Sequence, residues 1–469
     1  MKLVRDFLAL SSGQVLSKIV TFVAFAYLTR KLSPENYGYV EVAAALAVFW
    51  SIVVDLGLGA IGARELAKDP KQVESLSATV PAARLLMAIV VVPIMGLGAQ
   101  LADQPEETVT LIWLFGIALL ALPWKLDWML QGLERMRGVA IGDVVRAGGF
   151  TIGVLVLVQG PGDLVQVGFA EILAAFAASL FYVGYQHFRV GAVRLRFSMG
   201  RIRGLYSQSA LIGLGDAVWA INQYVQLVLL GFLVGGDTTA YYGGGHRIVA
   251  SLLIFSAVYH FNLFPALVRS TLDSSERFLP LMRASFRVVA WAGIFVALFF
   301  TLFAQPVLEF VFDDAYGAGA PALTILIWAF PITVLSGHAR RSLIAKNRQK
   351  QLLFAQLGGT VVTLVATPLL VWQYDAVGAA IGMVAANLAA WCAAHAFARV
   401  YVGPLPFVPS LVRPAAVAAL VAWLSFAFEL PAWGTVGLLL AAMACATLID
   451  RALIPDLKLL AHAKSDLDA

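Results

Sequence analysis

The chain has 469 residues, of which 60% are hydrophobic and 13% are charged, and its formal net charge is +5 with a mean hydropathy of +0.83. Soluble domains carry roughly 25% charged residues, so this composition excludes an ordinary soluble protein. Apolar segments of about 20 residues, the length that crosses a hydrocarbon core about 30 Å thick, fill the chain almost from end to end. The sequence therefore predicts an all-α polytopic membrane protein with no room for a sizeable soluble domain.

About fourteen transmembrane helices are predicted. In chain order they cover residues 7–28, 37–58, 78–101, 108–131, 139–158, 164–188, 205–234, 240–266, 279–304, 320–343, 351–372, 376–400, 410–428 and 433–449. Most of the 33 Lys and Arg residues fall in alternate connections, whereas the opposite connections hold only Arg30 and Lys31. By the positive-inside rule, this asymmetry places both termini in the cytoplasm. We attribute the basic connections to topology and contact with anionic membrane lipids, and not to nucleic-acid binding.

Two halves of the chain resemble each other. A basic turn followed by a helix with a Gly-Gly pair occurs at Gly148 and again at Gly358. Six spans per repeat is an even number, which predicts two six-helix lobes related by a pseudo-twofold axis along the membrane normal, plus two C-terminal helices. The predicted domains are an N-lobe at 1–190, a basic cytoplasmic interlobe linker at 191–204, a C-lobe at 205–401, and the last two helices with a cytoplasmic tail at 402–469.

The sequence lacks the common motifs for catalysis and cofactor binding. A G-x-G-x-x-G pattern begins at Gly57, but a dinucleotide site needs a preceding strand, and here a membrane helix precedes it. The chain has no P-loop, HExxH or GxSxG motif. Its six histidines are scattered, and we expect each imidazole to be satisfied or interfacial. We therefore predict a protein that is not an enzyme and has no cofactor or metal.

Ionisable side chains inside the predicted spans are informative, because a charge at the bilayer centre costs about 2.5 to 3.5 kcal/mol on insertion scales unless it faces protein or water. Lys18 lies near the middle of the first span. The polar residues at three- and four-residue steps around it are Ser11, Gln14 and Thr21. This spacing puts all four on one helical face, which we predict to line a cavity.

Span seven, the equivalent of span one in the second repeat, carries a polar stripe of its own. Its members include Asp216, Asn222, Gln223 and Gln226. We predict that the three amides line the cavity and that Asp216 carries a coupling ion. The alternative is that Lys18 and Asp216 are buried and paired for packing alone. In that arrangement the ion pair would offset only part of the free-energy cost of desolvating the two charges.

Three arginines extend the set of predicted cavity cations. Arg146 lies about two turns into span five with Asp143 as a candidate partner, and Arg247 lies about two turns into span eight. Arg84 is similarly shallow and could instead snorkel to the cytoplasmic interface. Lys125, which is flanked by tryptophans, is interpreted as an interfacial anchor. Further acidic candidates for counter-ions or proton carriers are Asp55, Asp127, Glu171 and Glu41.

Several stretches resemble bacterial polysaccharide and O-antigen flippases. They are DWMLQGLERM at 127–136, LSPENYGYVEVA at 32–43, DLGLGAIGARELAKD at 55–69 and LVLLGFLVGGDTTAYYGGGHRIV at 227–249. The resemblance covers most of the first twelve predicted spans. It implies the fold of the multidrug, oligosaccharidyl-lipid and polysaccharide exporter superfamily, in which two six-helix lobes open alternately to either side. Twelve helices are usual in that family, so the role of the last predicted pair is open.

The resemblance also implies a cargo and a site. The cargo is expected to be an oligosaccharide on undecaprenyl pyrophosphate, carried from the cytoplasmic to the outer leaflet of a bacterial inner membrane. Basic residues in a central cavity are expected to hold the pyrophosphate. The residues that we assign to this role, by depth and charge and not by alignment, are Lys18, Arg84, Arg146 and Arg247. Because the chain has no ATP site, we expect a proton or sodium gradient or the membrane potential to drive flux. Polysaccharide polymerase and chain-length machinery are candidate partners.

Three other functions remain open at the level of the sequence. A lipid II flippase shares the fourteen-span count and a cationic cavity. A multidrug antiporter of the same superfamily would hold cationic drugs with acidic residues, and the basic excess here argues against it. A membrane-embedded polysaccharide polymerase or ligase would need an extended outer loop, and every predicted outer loop is short.

Overall fold

The computed structural model describes the backbone of residues 2–191, 195–273, 275–403 and 407–468, and their side chains except for 2–11, 261–262, 264–277, 407–409 and 461–468. All regular elements in these ranges are helical. The α-helices are α1 (Lys2–Lys31), α2 (Pro34–Asp55), α3 (Leu58–Lys68), α4 (Val73–Leu101), α5 (Glu106–Ala118), α6 (Asp127–Gly132), α7 (Met136–Leu157), α8 (Leu164–Arg189), α9 (Met199–Leu233), α10 (Gly236–Asp273), α11 (Ser275–Leu302), α12 (Ala304–Val311), α13 (Ala320–Leu326), α14 (Ala329–Ala345), α15 (Gln349–Tyr401), α16 (Phe407–Ala427), α17 (Ala432–Ile449) and α18 (Leu453–Asp468). The prediction of an all-α polytopic membrane protein is confirmed.

Twelve segments of the described chain are long and apolar enough to cross a membrane. One of them, α15, contains the predicted spans 351–372 and 376–400, and non-helical backbone at Asp375 (φ 48°, ψ −126°) separates its two parts. The predicted span 240–266 falls within α10, some of whose side chains lie outside the described residues. The difference between fourteen predicted spans and twelve segments is therefore accounted for by α10 and by the two parts of α15.

The corner between α2 and α3 is a local feature that positions charged residues described below. Leu56 ends α2 with a left-handed backbone, and Gly57 continues it at φ 77°. A Cβ atom at Gly57 would lie 2.8 Å from the carbonyl oxygen of Ser209 on α9, so only glycine allows this approach. Helix α3 lies between the predicted spans 37–58 and 78–101, and it is amphipathic: Ile61 and Leu66 are buried, whereas other side chains face outward.

Contacts group the chain into two compact units. Unit 1 comprises Met1–Gly243 and Val311–Ala315, and unit 2 comprises Gly244–Phe310 and Tyr316–Ala469. Helix α9 belongs to unit 1 because it packs on α2 and α3. The predicted division into two six-helix lobes with a linker at 191–204 describes a symmetry that these contacts do not test, and it stays a prediction.

Small residues allow close helix packing inside unit 1. A Cβ atom at Gly149 would lie 3.3 Å from the Cα of Ala174, and one at Gly153 would lie 3.1 Å from the Cα of Ala170. Both pairs join α7 to α8. Because lipid supplies no hydrophobic drive for helix association, such close backbone approach provides the van der Waals contact that holds the helices together.

In unit 2, the last two predicted spans pack against α11. Trp291, Phe295 and Leu298 of α11 form a buried cluster that also includes Val421 of α16 and Leu439 of α17. A group of polar contacts around Asp450 lies next to this cluster. Asp450 is 2% exposed, accepts a hydrogen bond from Trp291 Nε1 at 3.2 Å and lies 2.7 Å from Arg413 Nη1. The C-terminal helices are thus an integral part of unit 2.

Candidate functional site

Helices α1 and α7 lie side by side and run in the same direction. A Cβ atom at Gly13 would lie 2.6 Å from the Cβ of Ala140 near one end of the pair. Further along, Thr151 Oγ1 donates to the carbonyl of Val20 at 3.1 Å, and near the other end Tyr27 donates to a carbonyl of the residue that follows α7. This register puts Lys18 of α1 at about the same depth as Arg146 of α7.

That depth is the middle of the membrane. Arg146 lies at the centre of α7 (Met136–Leu157), a helix about 33 Å long at 1.5 Å per residue. The sequence had suggested a position about two turns from the cytoplasmic side, but α7 begins earlier than the predicted span. Lys18 is exposed at this level, and the Arg146 side chain is 36% exposed. Two accessible cations therefore stand at mid-membrane depth in unit 1.

Arg146 is paired with Glu171 of α8, through a short hydrogen bond from Nη2 to Oε1. The sequence had suggested Asp143 as its partner. The Glu171 side chain is 16% exposed and lies behind the more accessible guanidinium. This arrangement offsets the desolvation of Arg146 while part of its donor surface stays open.

A second group of charges stands beside this pair. Lys125 Nζ lies 3.3 Å from Asp127 Oδ2, and the lysine side chain is 44% exposed against 20% for the aspartate. Asp143 is half-buried and within electrostatic range of both Lys125 and Lys18. Lys125, which we had interpreted as an interfacial anchor, therefore belongs to the same charged cluster as Lys18.

Arg84 is placed differently from the other predicted cations. Its side chain is only 5% exposed. Its Nε and Nη2 atoms donate to Asp55 Oδ1 at 2.8 and 2.5 Å, and Nη1 donates to the carbonyl of Lys125 at 2.9 Å. Asp55 also accepts a hydrogen bond from the backbone N–H of Gly59 at 3.1 Å. In this structure Arg84 therefore stabilises the corner between α2 and α3 instead of facing a cavity.

The charges in this part of unit 1 are balanced in number. Its bases are Lys18, Arg84, Lys125 and Arg146, and its acids are Asp55, Asp127, Asp143 and Glu171. The cations of the Lys125–Asp127 and Arg146–Glu171 pairs are nevertheless more exposed than their carboxylates. We call Lys18, Lys125, Asp127, Asp143, Arg146 and Glu171 the mid-membrane cluster. Its accessible face is cationic although its total charge is not.

The predicted polar stripe of α1 lies only partly within the described side chains. Gln14 is exposed near Lys18, and Thr21 is half-buried and donates to the carbonyl of Ser17 at 2.8 Å. The side chain of Ser11 lies outside the described residues. A cavity-lining role for this face stays a prediction.

The polar residues of α9 do not share one environment. Asp216 is exposed and lies within electrostatic range of Asp55. Asn222 and Gln223 are half-buried. Gln226 is fully buried; its Nε2 donates to the carbonyl of Asn222 at 3.3 Å, and its Oε1 has no hydrogen-bond partner among the described residues. Asp216 is therefore the most accessible of the four.

Arg247 belongs to unit 2. It lies on α10, is half-buried, and its carbonyl accepts a hydrogen bond from Ser251 at 2.8 Å. Its predicted place beside Lys18 stays a prediction.

Sequence reasoning gave no role to a group of residues in unit 2. His260 and His338 are buried, with ring centroids 5.2 Å apart, and Arg340 and Arg341 follow on the same helix as His338. The sequence places both arginines at the cytoplasmic end of the predicted span 320–343, and α14 ends two residues beyond that span, at Ala345. The histidines are 78 residues apart, so only the fold brings them together.

A family model described as polysaccharide biosynthesis protein matches residues 3–271 of the chain. The chain belongs to this family. Two curated relatives carry the name "Putative O-antigen transporter": one from Shigella dysenteriae is 23% identical over 77% of this chain and 91% of its own length, and one from Escherichia coli K12 is 18% identical over 81% and 93%. The resemblance found in the sequence is thereby confirmed.

Solved structures with the same fold include an inward closed conformation of the lipid II flippase MurJ. Its TM-score is 0.77 at 12% identity, with 95% of this chain and 100% of that one covered. An inward-facing multidrug resistance MATE transporter of the MOP superfamily has a TM-score of 0.64 at 14% identity, with 85% and 95% covered. This polysaccharide biosynthesis family member is therefore a multi-pass membrane protein with the fold of the MOP superfamily.

Proposed function

We propose that the protein is a flippase that moves an undecaprenyl-pyrophosphate-linked oligosaccharide, such as an O-antigen repeat unit, from the cytoplasmic to the outer leaflet of a bacterial inner membrane by alternating access. The observation that carries the proposal is the pair of accessible cations, Lys18 and Arg146, at mid-membrane depth in a member of the polysaccharide biosynthesis family. A pyrophosphate cannot cross hydrocarbon without a protein, because the free-energy cost of desolvating its charge is prohibitive.

The mid-membrane cluster suits transient anion binding. A guanidinium donates in a planar fork that matches phosphate oxygens, whereas a lysine acts as a mobile point charge. Before the cargo arrives, Glu171 and Asp143 offset the charges of Arg146 and Lys18. A bound pyrophosphate then competes with these carboxylates for the same donors. Such an exchange of partners favours a head group that binds and is released again, while the polyprenyl tail stays in lipid.

Energy coupling is assigned to Asp216. It is an accessible acid on α9, in the same unit as the mid-membrane cluster. A proton or sodium ion on this carboxylate would link transport to an ion gradient. Polysaccharide polymerase and chain-length machinery remain candidate partners that receive the product in the outer leaflet.

The direct test is a flipping assay in liposomes that contain the purified full-length protein and a defined lipid-linked sugar. We expect undecaprenyl-pyrophosphate oligosaccharide to become accessible to reagents on the opposite side faster than in protein-free liposomes. Lipid II and a cationic drug are assayed in parallel. Selective flipping of lipid II would replace the proposal by the peptidoglycan precursor, and movement of the drug alone would replace it by multidrug export.

A further inference from the structure

Trp219 is an exposed aromatic side chain of unit 1 that has no part in the mid-membrane cluster. It lies on α9 (Met199–Leu233) and is 43% exposed. Its indole ring makes an edge contact with the ring of Tyr224, with the ring centroids 5.9 Å apart and an interplanar angle of 77°. This contact restrains the orientation of the indole, while much of the ring stays accessible.

Trp219 shares one side of α9 with two polar residues. Asp216, Trp219 and Gln223 follow one another at steps of three and four residues, the spacing that puts side chains on one side of a helix. Asp216 is exposed and Gln223 is half-buried. The exposed side chains of Leu211 and Leu214 lie on the opposite side of α9. We call Asp216, Trp219 and Gln223 the α9 face, which is aromatic and polar where the opposite side is apolar.

The α9 face lies inside a membrane-spanning segment. Helix α9 packs along α2 in the opposite direction, because a Cβ atom at Gly213 would lie 2.6 Å from the carbonyl carbon of Leu56, and one at Gly231 would meet the side chain of Val42. These two contacts are about 27 Å apart along α9 at 1.5 Å per residue, and the α9 face lies between them. A carboxylate at this depth is costly against acyl chains, so the side of the helix that carries it meets water. A tryptophan that anchors a helix among the head groups would instead lie at the end of the span.

A series of contacts connects the α9 face to the mid-membrane cluster. Asp216 is within electrostatic range of Asp55, and Asp55 accepts a hydrogen bond from Arg84 Nε at 2.8 Å. Arg84 Nη1 in turn donates to the carbonyl of Lys125, a member of the cluster, at 2.9 Å. All of these residues belong to unit 1. The α9 face is therefore within reach of an oligosaccharide whose diphosphate is held by the cluster.

We propose that the α9 face is a subsite for the carbohydrate part of the cargo, with Trp219 as its stacking platform. This inference rests on the proposed function and deepens it, because it assigns residues that recognise sugar and not diphosphate. The C–H groups on one face of a pyranose ring stack on the electron-rich face of an indole, and the sugar hydroxyls pair with an amide or a carboxylate. Ligand sites combine aromatic walls with a few placed polar groups in the same way. Gln223 and Asp216 supply these polar groups beside the indole.

The test compares two lipids by isothermal titration calorimetry of the purified full-length protein in detergent. One lipid is undecaprenyl diphosphate, and the other is the same lipid with a defined oligosaccharide attached. Wild-type protein should bind the sugar-linked lipid more tightly, because only this lipid occupies the subsite. Trp219→Leu keeps apolar bulk but lacks a ring, so it should bind the sugar-linked lipid about tenfold more weakly and the sugar-free lipid normally. Trp219→Phe keeps an aromatic face and should recover most of the lost affinity.

Trp423→Leu is the matched control. Trp423 of α16 is 60% exposed and makes an edge contact with Phe428, five residues further along the chain, as in the aromatic pair on α9. Its exposed neighbours one turn away, Leu420 and Phe426, are apolar, so its surroundings lack the polar groups of the α9 face. Trp423→Leu should bind both lipids like the wild type.

The sugar-free lipid separates this inference from the proposed function. If wild-type protein flips the sugar-linked lipid but Trp219→Leu binds both lipids normally, or loses affinity for both equally, the inference fails and the proposed function stands. The same holds if wild-type protein binds the two lipids equally well, or if Trp423→Leu loses as much affinity as Trp219→Leu. If wild-type protein binds neither lipid, both fail.

Discussion

At the scale of single residues, Arg84 and Arg146 show how one residue type has two uses in unit 1. Arg84 is buried and closes the corner between α2 and α3 through Asp55, whereas Arg146 stays accessible in front of Glu171. The sequence predicted both as cavity cations, because depth and charge are visible in a sequence. The exposure of an arginine side chain depends on its neighbours from other helices, and the sequence does not show which residues those neighbours are.

Arg84→Ala should destabilise the protein by about 3 kcal/mol, because it leaves Asp55 without its charged partner in a largely buried site. The matched control is Arg64→Ala, which removes an exposed arginine paired only with Glu65 on α3 and should cost about 0.5 kcal/mol or less. Thermal unfolding in detergent measures both. Equal effects of the two variants would refute a structural role for Arg84.

Asp216→Asn should remove the dependence of transport on an imposed ion gradient, since the amide cannot exchange a proton or bind a sodium ion as a carboxylate does. The control is Asp237→Asn, which changes an exposed aspartate in the first turn of α10. Initial flipping rates in liposomes with and without a gradient measure the effect. Normal gradient-driven transport by Asp216→Asn would remove this residue from the coupling mechanism.

At the scale of elements, the sequence predicted helices well where length and hydropathy decide them. It separated 351–372 from 376–400 correctly, because Asp375 marks the break in α15. It missed α3, which is short and amphipathic, and it ended span ten at 343, two residues before the end of α14. The sequence also could not identify the ion-pair partner of Arg146. Asp143 is one helical turn away in the sequence, but the contact comes from Glu171 on a neighbouring helix.

The polar contacts around Asp450 predict how a substitution there changes hydrogen exchange in the C-terminal helices. Asp450→Asn weakens the pairing with Arg413 and with Arg287, whose Nε lies 3.8 Å from Oδ2. We expect faster hydrogen exchange in α16, α17 and α18, with no change in α1 to α8. Glu429→Gln, an exposed change in the connection between α16 and α17, is the control. Unchanged exchange in α16 to α18 would mean that apolar packing on α11 suffices to hold them.

At the scale of the whole molecule, composition and apolar length predicted the membrane class, and the quoted motifs predicted the family. The residue-level site stays a prediction. Lys18 and Arg146 are accessible at one depth, but the cluster around them is balanced in charge. The lobe symmetry and the cytoplasmic termini stay predictions that the structure does not test.

The central claim is that cations at mid-membrane depth escort the pyrophosphate. It is tested most directly by the flipping rate of undecaprenyl-pyrophosphate oligosaccharide in liposomes with Lys18→Ala and Arg146→Ala, each compared with Lys68→Ala, which removes an exposed lysine of α3. Each cluster variant should lose about tenfold or more in rate, as expected for one charge-assisted hydrogen bond to phosphate, and the control should match the wild type. Wild-type rates in both cluster variants, at equal amounts of folded protein, would contradict the account.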